Sequence, residues 1–209
     1  MSAPLVGVFA LQGDVREHVR VLEGLGARTR PVRRAADLTG LDGIVLPGGE
    51  SSVMDRLAGL MGLKEPLADA IGAGLPAYGT CAGMILLARE IQNPAPGQGS
   101  LGVLDVTVRR NAFGAQVDSF EADLEVPAVL AEPVHAVFIR APAVLRAGGE
   151  VEVLASVPAS RLSAAPPELG LDDAAQVPVA VRQGRVLATS FHPEVTGDHS
   201  FHREFLRGL

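Results

Sequence analysis

Leu75-Pro76-Ala77-Tyr78-Gly79-Thr80-Cys81-Ala82-Gly83 is the stretch on which the reading of this chain turns. An apolar run ends in Gly-x-Cys-x-Gly, and an apolar stretch from Ala82 to Glu90 follows it, so the segment reads as a strand that turns sharply into a helix. It matches the nucleophile elbow G-x-S-x-G with Cys in place of Ser: the glycines permit the tight turn, and the turn presents the central side chain at the tip of a sheet. A position at the start of a helix also favours thiolate over thiol. Cys81 is the only cysteine, which excludes an internal disulfide and a cysteine-based zinc site. A lone cysteine is most often a small buried hydrophobe. Strand, elbow and helix together mark this one as a nucleophile.

The same strand-then-helix order recurs on either side. Leu5 to Ala10 is an apolar run, followed by Val15, Val19, Leu22 and Leu25 at helical spacing between Asp14 and Leu25. Gly43 to Leu46 precedes a helical stretch from Ser52. Alternating strands and helices imply parallel βαβ units in a sheet covered on both faces. After Pro94-Ala95-Pro96-Gly97 the pattern changes to strand-like runs at 102–108, 117–124, 134–139 and 151–157. Val177 to Val181 and Arg185 to Phe191, joined at Gln183-Gly184, read as a hairpin, and a last helix is expected between Asp198 and Arg207. Residues 158–176, rich in Pro, Ala and acidic positions, read as a surface loop, and Pro178 leaves the start of the next strand open.

At 209 residues, with no linker or internal repeat, the chain is expected to form one domain over 1–209. Hydrophobic residues make up 47% and aromatics 4%, with no Trp, so the core is built from aliphatic side chains and disorder is excluded. No apolar run approaches the ~18 residues of a spanning helix, and the N-terminus has no leader pattern, so the expected location is the cytoplasm, away from membranes. The formal charge of −6 with only isolated arginine pairs argues against a nucleic-acid partner.

Ligands of open parallel sheets bind at the carboxyl ends of strands, which directs attention to three loops. Phe191-His192-Pro193-Glu194 ends the last apolar run, and a strand period of two would put His192 and Glu194 on one face, base beside orienting carboxylate. Leu46-Pro47-Gly48-Gly49-Glu50-Ser51 supplies glycine peptides whose N–H groups can face a tetrahedral oxyanion, with the Ala82 N–H of the elbow as second donor. By contrast, Gly24-Leu25-Gly26 and Gly72-Ala73-Gly74 precede strands and do not complete a dinucleotide fingerprint. His199 and His202 on the last helix are read as part of a solvated face, with no metal site expected.

In order and spacing, Leu46 to Ser51, Tyr78 to Met84 and His192 to Glu194 resemble the class I glutamine amidotransferases. More narrowly, Leu11-Gln12-Gly13-Asp14-Val15-Arg16-Glu17-His18, Arg110-Asn111-Ala112-Phe113-Gly114, Gln116 to Glu121 and Phe138-Ile139-Arg140-Ala141-Pro142 resemble the glutaminase subunits of two-component pyridoxal 5'-phosphate synthases. The resemblance implies an α/β, flavodoxin-like three-layer fold with a mostly parallel sheet and an added antiparallel portion in the C-terminal half. It implies hydrolysis of L-glutamine by Cys81, His192 and Glu194, with no cofactor and no metal. Gly49, Glu50, Ser51, Arg110, Ile139 and Arg140 match the family's glutamine-binding positions, beside the Gly49 and Ala82 N–H groups expected from the loop and elbow as oxyanion donors. Ammonia would pass to a synthase barrel subunit in a hetero-oligomer. Gln12, Arg16 and His18, on and just after the first strand-end loop, are the expected partner contacts, from an otherwise solvated helix face.

Several positions depart from the family's usual residues: Ser52, Ala112 and Ala10 stand where Thr, Ser and Gly are usual, and Arg161 to Gln176 is longer. Three rival readings remain: the glutaminase component of another ammonia-dependent synthase, a non-catalytic regulatory subunit of the same fold, and an α/β-hydrolase with a cysteine nucleophile. The last is disfavoured because its acid precedes its histidine, whereas His192 precedes Glu194 here.

Overall fold

A computed structural model describes residues 2–114, 120–127, 129, 133–163, 169, 171, 172 and 174–209. The first half holds the expected β1 (Leu5–Phe9), α1 (Val15–Gly24), β3 (Gly43–Leu46), α2 (Ser51–Leu60), β4 (Ala77–Thr80) and α4 (Ala82–Leu87), and adds β2 (Arg28–Val32) and α3 (Lys64–Gly72), where no element is expected. The second half supplies β5 (Ala88–Gln92), β6 (Leu104–Arg109), β7 (Phe120–Leu124), β8 (Val134–Phe138), β9 (Ala143–Ala147), β10 (Glu152–Pro158), β11 (Gln176–Gln183) and β12 (Val186–Thr189). Two helices close the chain, α5 (Pro193–Thr196) and α6 (Ser200–Arg207).

The main sheet has seven strands in the order β10-β11-β12-β4-β3-β1-β2. β12, β4, β3, β1 and β2 pair in parallel, and the β10-β11-β12 edge is antiparallel. This is the flavodoxin-like order with an antiparallel extension, as expected. β5-β6-β9 forms a second sheet and β7-β8 a separate antiparallel pair.

Side-chain alternation along the strands builds two apolar layers. Val6, Val8, Val45 and Tyr78 face the side that holds Leu22 of α1 and Phe201 and Phe205 of α6. Phe9, Ile44, Leu46 and Ala77 face Met54 and Ala58 of α2, Leu67 of α3 and Met84 of α4. β3 and β4 are buried at every residue, the mark of parallel strands covered on both faces.

Two expectations change and one open point, the strand start at Pro178, closes. The helix from Ala82 stops at Leu87 and Ala88–Gln92 is a strand. All six residues of α4 are buried, so a continued helix would carry Arg89 and Glu90 into the core. As a strand they are exposed, and Arg89 pairs with Asp105 while Glu90 accepts from Thr107. Pro178 lies within β11, opposite Ser156 where the β10 register shifts, so the missing N–H falls at an irregularity. The 158–176 segment is not wholly surface: Ala159 and Leu162 are buried, and Ser163 N–H donates to Ala112 O at 2.8 Å. Residues 164–168, 170 and 173 of it, and Gln116–Ser119 of the family-like motif and of the strand expected at 117–124, lie outside the described residues.

Candidate active site

The loops after β1, β3, β4 and β12 meet at one end of the sheet, on the crevice beside the β1–β3 reversal of strand order where such folds bind ligands. The β1 and β3 loops are joined directly, the Asp14 N–H donating to Gly48 O at 3.1 Å. Gln12 Oε1 also accepts from the Glu50 N–H at 2.8 Å, a brace across the two loops that sequence reading had not identified.

Cys81 sits at the elbow between β4 and α4 with φ 47° and ψ −103°, a positive-φ conformation that costs a non-glycine residue roughly 1–3 kcal/mol. The flanking glycines explain how this turn fits. A Cβ on Gly79 would lie 2.7 Å from the Gly83 carbonyl carbon, and one on Gly83 would strike the Leu46 carbonyl of β3. Asn111 and Arg140 also have positive φ, at 50° and 47°, and with Cys81 they line the same cavity. Three strained non-glycine residues around one pocket mark it as the functional site.

His192 follows β12, the parallel neighbour of β4. It does not share a strand face with Glu194, as the period of two suggested: β12 ends at Thr189, and His192 caps the single-turn helix α5. That turn brings the pair together, and the His192 Nδ1–H donates to Glu194 Oε1 at 2.8 Å. Both side chains are buried. Burial lowers the His192 pKa, but hydrogen bonds to Cys81 and Glu194 and the charges of both outweigh it and push the value up to about 11. Between the Cys81 sulfur and the Glu194 carboxylate, the imidazolium is the form of His192 that the site stabilises. Gly48 packs against this ring, since a Cβ there would lie 2.8 Å from His192 Nδ1.

Asp14 is a second carboxylate beside the ring, with Oδ2 3.6 Å from His192 Nδ1. Burial raises its pKa and the histidine charge opposes the rise. Ligand atoms of Asp14, His192 and Glu194 lie within 4.8 Å of one another. Because Glu194 already accepts from Nδ1, the cluster is one imidazole between two carboxylates and not three ligands converging on an ion.

The cavity measures about 350 Å³ and is lined by Gln12, Asp14, Gly49, Glu50, Ser51, Cys81, Arg110, Ile139, Arg140 and His192, among others. Its size is at the lower end of the roughly 300–1,000 Å³ of small-molecule pockets. Arg110 and Glu50 form an ion pair at 2.9 Å, so the two opposite charges stand together at the cavity wall. Two aromatic rings anchor the rest: Phe138, just before Ile139, meets Phe191, just before His192, edge to face at 5.7 Å. The sequence-predicted catalytic and substrate-binding residues therefore converge. Ala82, the remaining expected oxyanion donor, opens α4 directly after Cys81, where helix amides lack intrahelical partners.

Two expectations about histidines are overturned. His18 was expected on a solvated helix face as a partner contact; it is completely buried beneath the site, because α1 turns this side onto the sheet, and only Arg16 of that expected pair is exposed. His202 was expected to face solvent and is completely buried beside it. Sequence reading carried no signal for their pairing across the fold.

A cysteine at a strained strand-helix elbow, a histidine and glutamate following the adjacent parallel strand, and a flavodoxin-like sheet define a class I glutamine amidotransferase. The chain belongs to the SNO glutamine amidotransferase family, whose model matches residues 8–209. It is 60% identical over 205 residues to the pyridoxal 5'-phosphate synthase subunit PdxT of Clavibacter sepedonicus, covering 98% of this chain and 90% of that protein. Against the subunit of the same name from Frankia alni the identity is 56% over 206 residues, covering 99% and 95%. A crystal structure described as a glutamine amidotransferase superposes with a TM-score of 0.82 at 46% identity, covering 97% of both chains.

Proposed function

We propose that this chain is the glutaminase subunit of a pyridoxal 5'-phosphate synthase, hydrolysing L-glutamine and delivering ammonia to a synthase barrel subunit. The observation that carries the chemistry is the 2.8 Å hydrogen bond from His192 to Glu194 beside the strained Cys81 elbow. The identity to PdxT subunits supports the choice of partner. Residues 1–209 are read as one glutaminase domain, supported by a family match that begins at residue 8 and ends at 209.

In this mechanism the Cys81 thiolate attacks the δ-amide carbon of glutamine. The oxyanion accepts hydrogen bonds from the N–H groups of Gly49 and Ala82. His192 delivers its proton to the leaving nitrogen, ammonia departs, and a γ-glutamyl thioester remains on Cys81. Water, losing a proton to His192, then attacks the thioester carbonyl, releasing glutamate and restoring the thiolate-imidazolium pair. Glu194 holds the imidazole and its charge throughout. Arg110 and Arg140 present positive charge for the α-carboxylate, Glu50 negative charge for the α-ammonium, and Ser51 and Ile139 complete the wall.

Arg16, exposed beside the strand-end loops, is retained as a partner contact, and Gln12 is read as the brace through which docking reaches Glu50 and Gly49. Because ammonia released without an acceptor is wasted, the isolated subunit is expected to be a poor glutaminase that the synthase activates. Among the described residues no helix is long and apolar enough to cross a membrane, which accords with a cytoplasmic biosynthetic role.

The deciding experiment measures glutamate release by the chain alone and with saturating synthase barrel. Release that rises with synthase and disappears in Cys81→Ala is expected. No glutamine hydrolysis under either condition would leave the non-catalytic regulatory reading in its place.

A further inference from the structure

Beneath the proposed triad lies a polar group that the mechanism above does not use. His18 of α1 and His202 of α6 are both completely buried, and His18 Nδ1 lies 2.9 Å from His202 Nε2. The other ring nitrogen of His18, Nε2, lies 3.1 Å from Thr80 Oγ1 and 3.6 Å from Glu194 Oε1. Thr80 is the residue before Cys81. One imidazole thus touches both the strand end that carries the nucleophile and the carboxylate that orients the base.

The protons of this pair can be assigned by elimination. Burial disfavours charge on either ring, so each carries a single N–H. If His18 donated through Nδ1, His202 Nε2 would be the acceptor and its own proton would sit on Nδ1. His202 Nδ1 is buried with no partner among the described residues, and a buried unpaired N–H costs more than an unpaired lone pair on a ring nitrogen. The Nε2 lone pair of His18 would then also face the lone pairs of Glu194. In the opposite arrangement His202 Nε2–H donates to His18 Nδ1, and His18 Nε2–H is aimed at Thr80 Oγ1 and Glu194 Oε1. No ring N–H of the pair is then left unpaired, and the donor faces a carboxylate whose second oxygen, Oε2, is buried without a partner among the described residues.

We propose that His18, its tautomer set by His202, is a positioning residue that holds Glu194 in register with His192 and ties it to the strand end bearing Cys81. The proposal rests on the triad reading given above. Glu194 stands on a four-residue helix, so its own element offers little rigidity. With Oε1 bonded to the His192 donor and lying 3.6 Å from His18 Nε2, the carboxylate cannot turn away from the imidazole without losing that bond and the favourable field of the nearby His18 N–H.

The test is a double-mutant cycle on glutamate release by the chain with saturating synthase, resolved into kcat and KM. His18→Asn keeps an acceptor near the Nδ1 position for His202 but removes the donor toward Glu194. His18→Gln places an amide N–H near the Nε2 position. Loss of a buried N–H dipole facing the carboxylate predicts a kcat lower by roughly tenfold in His18→Asn, with KM unchanged. His18→Gln should recover most of that loss. The double variant His18→Asn with Glu194→Gln should be no worse than Glu194→Gln alone, since His18 acts through that carboxylate. Losses that multiply in the double variant, equal losses in Asn and Gln variants that track their melting temperatures, or an unaffected kcat in His18→Asn would each overturn the proposal. If Glu194→Gln itself matched wild type, the triad reading would fail first, and the single variants would show this separately.

Discussion

Thr80 and Thr189 are partners in the last register pair of the parallel ladder between β4 and β12. The chain leaves both strand ends toward the same side of the sheet, one into the Cys81 elbow, the other through Ser190 and Phe191 to His192. Residues 111 positions apart in sequence therefore meet because two strands end level, and the Cys81 N–H donating to Thr189 O at 2.8 Å fastens the nucleophile turn to the base-bearing strand. The ladder places the proposed nucleophile and base together, whereas the histidine-carboxylate bond is made locally by the α5 turn.

If the triad reading holds, its three members fail unequally. Cys81→Ala removes the nucleophile and should abolish glutamate release while the protein stays folded and binds glutamine, read by calorimetric titration. His192→Ala removes the proton carrier and should be nearly as severe. Glu194→Gln keeps a ring able to accept a proton but costs it orientation and charge stabilisation, so its kcat should fall less, by roughly a hundredfold or more. Steady-state kinetics with saturating synthase would give the order, and a Glu194→Gln variant worse than His192→Ala would contradict it.

Two glycines should respond to alanine with opposite signs. At Gly83 the added methyl meets the Leu46 carbonyl, so Gly83→Ala must push α4 off β3, and overpacking of this kind costs about 1–3 kcal/mol. Gly59, inside α2, has open space around the new methyl, and Gly59→Ala should gain about 0.5–1 kcal/mol from reduced backbone entropy. Urea denaturation midpoints of the two variants, compared with wild type, should move in opposite directions.

The elbow was legible because its chemistry demands an unusual residue pattern: the small residues are required by backbone crowding at Leu46 and Gly79, and they leave a mark in the sequence. His192 and Glu194 are legible as a pair from their spacing, although the α5 turn and not a shared strand face brings them together. β2 was missed because Arg28-Thr29-Arg30-Pro31-Val32 is the sheet's edge strand and only Val32 is buried, so no apolar run betrays it. The helix-to-strand change at Ala88 was missed because apolar residues precede it without a Gly or Pro break. The His18–His202 pair lay beyond reach for another reason, since a contact between α1 and α6 depends on which face each helix turns to the sheet.

The Glu50–Arg110 ion pair stands where the charged end of glutamine is proposed to bind. Arg110→Ala removes a charge-assisted contact to the α-carboxylate and leaves Glu50 without its partner, so KM for glutamine should rise by roughly tenfold or more. Because the arginine is remote from the δ-amide, kcat should change much less. Arg110→Lys, which keeps the charge but loses the planar fork, should fall between. A kcat loss larger than the KM rise would move Arg110 from substrate binding to the chemistry.

The buried histidines should also set the acid limit of the fold. Burial, reinforced by the charge of His199 and opposed by Asp198, lowers the His202 pKa to about 4, and burial likewise holds His18 well below its ordinary value. In the unfolded chain both rings titrate near the ordinary histidine value of 6.5. Below that pH the unfolded state binds protons that the folded state refuses, so stability falls with decreasing pH. The contribution of His202 is fully present above about pH 6.5 and is lost progressively as the pH drops toward about 4. His192 works in the opposite sense, since its raised pKa contributes stability that is complete below about 6.5 and lost only as the pH rises through about 11. The acid side therefore belongs to the buried pair. His202→Gln keeps a donor for His18 but cannot titrate, so melting temperature plotted against pH should slope less steeply between pH 6.5 and 4 than in wild type. Parallel curves for wild type and His202→Gln across that window would show that acid sensitivity arises elsewhere.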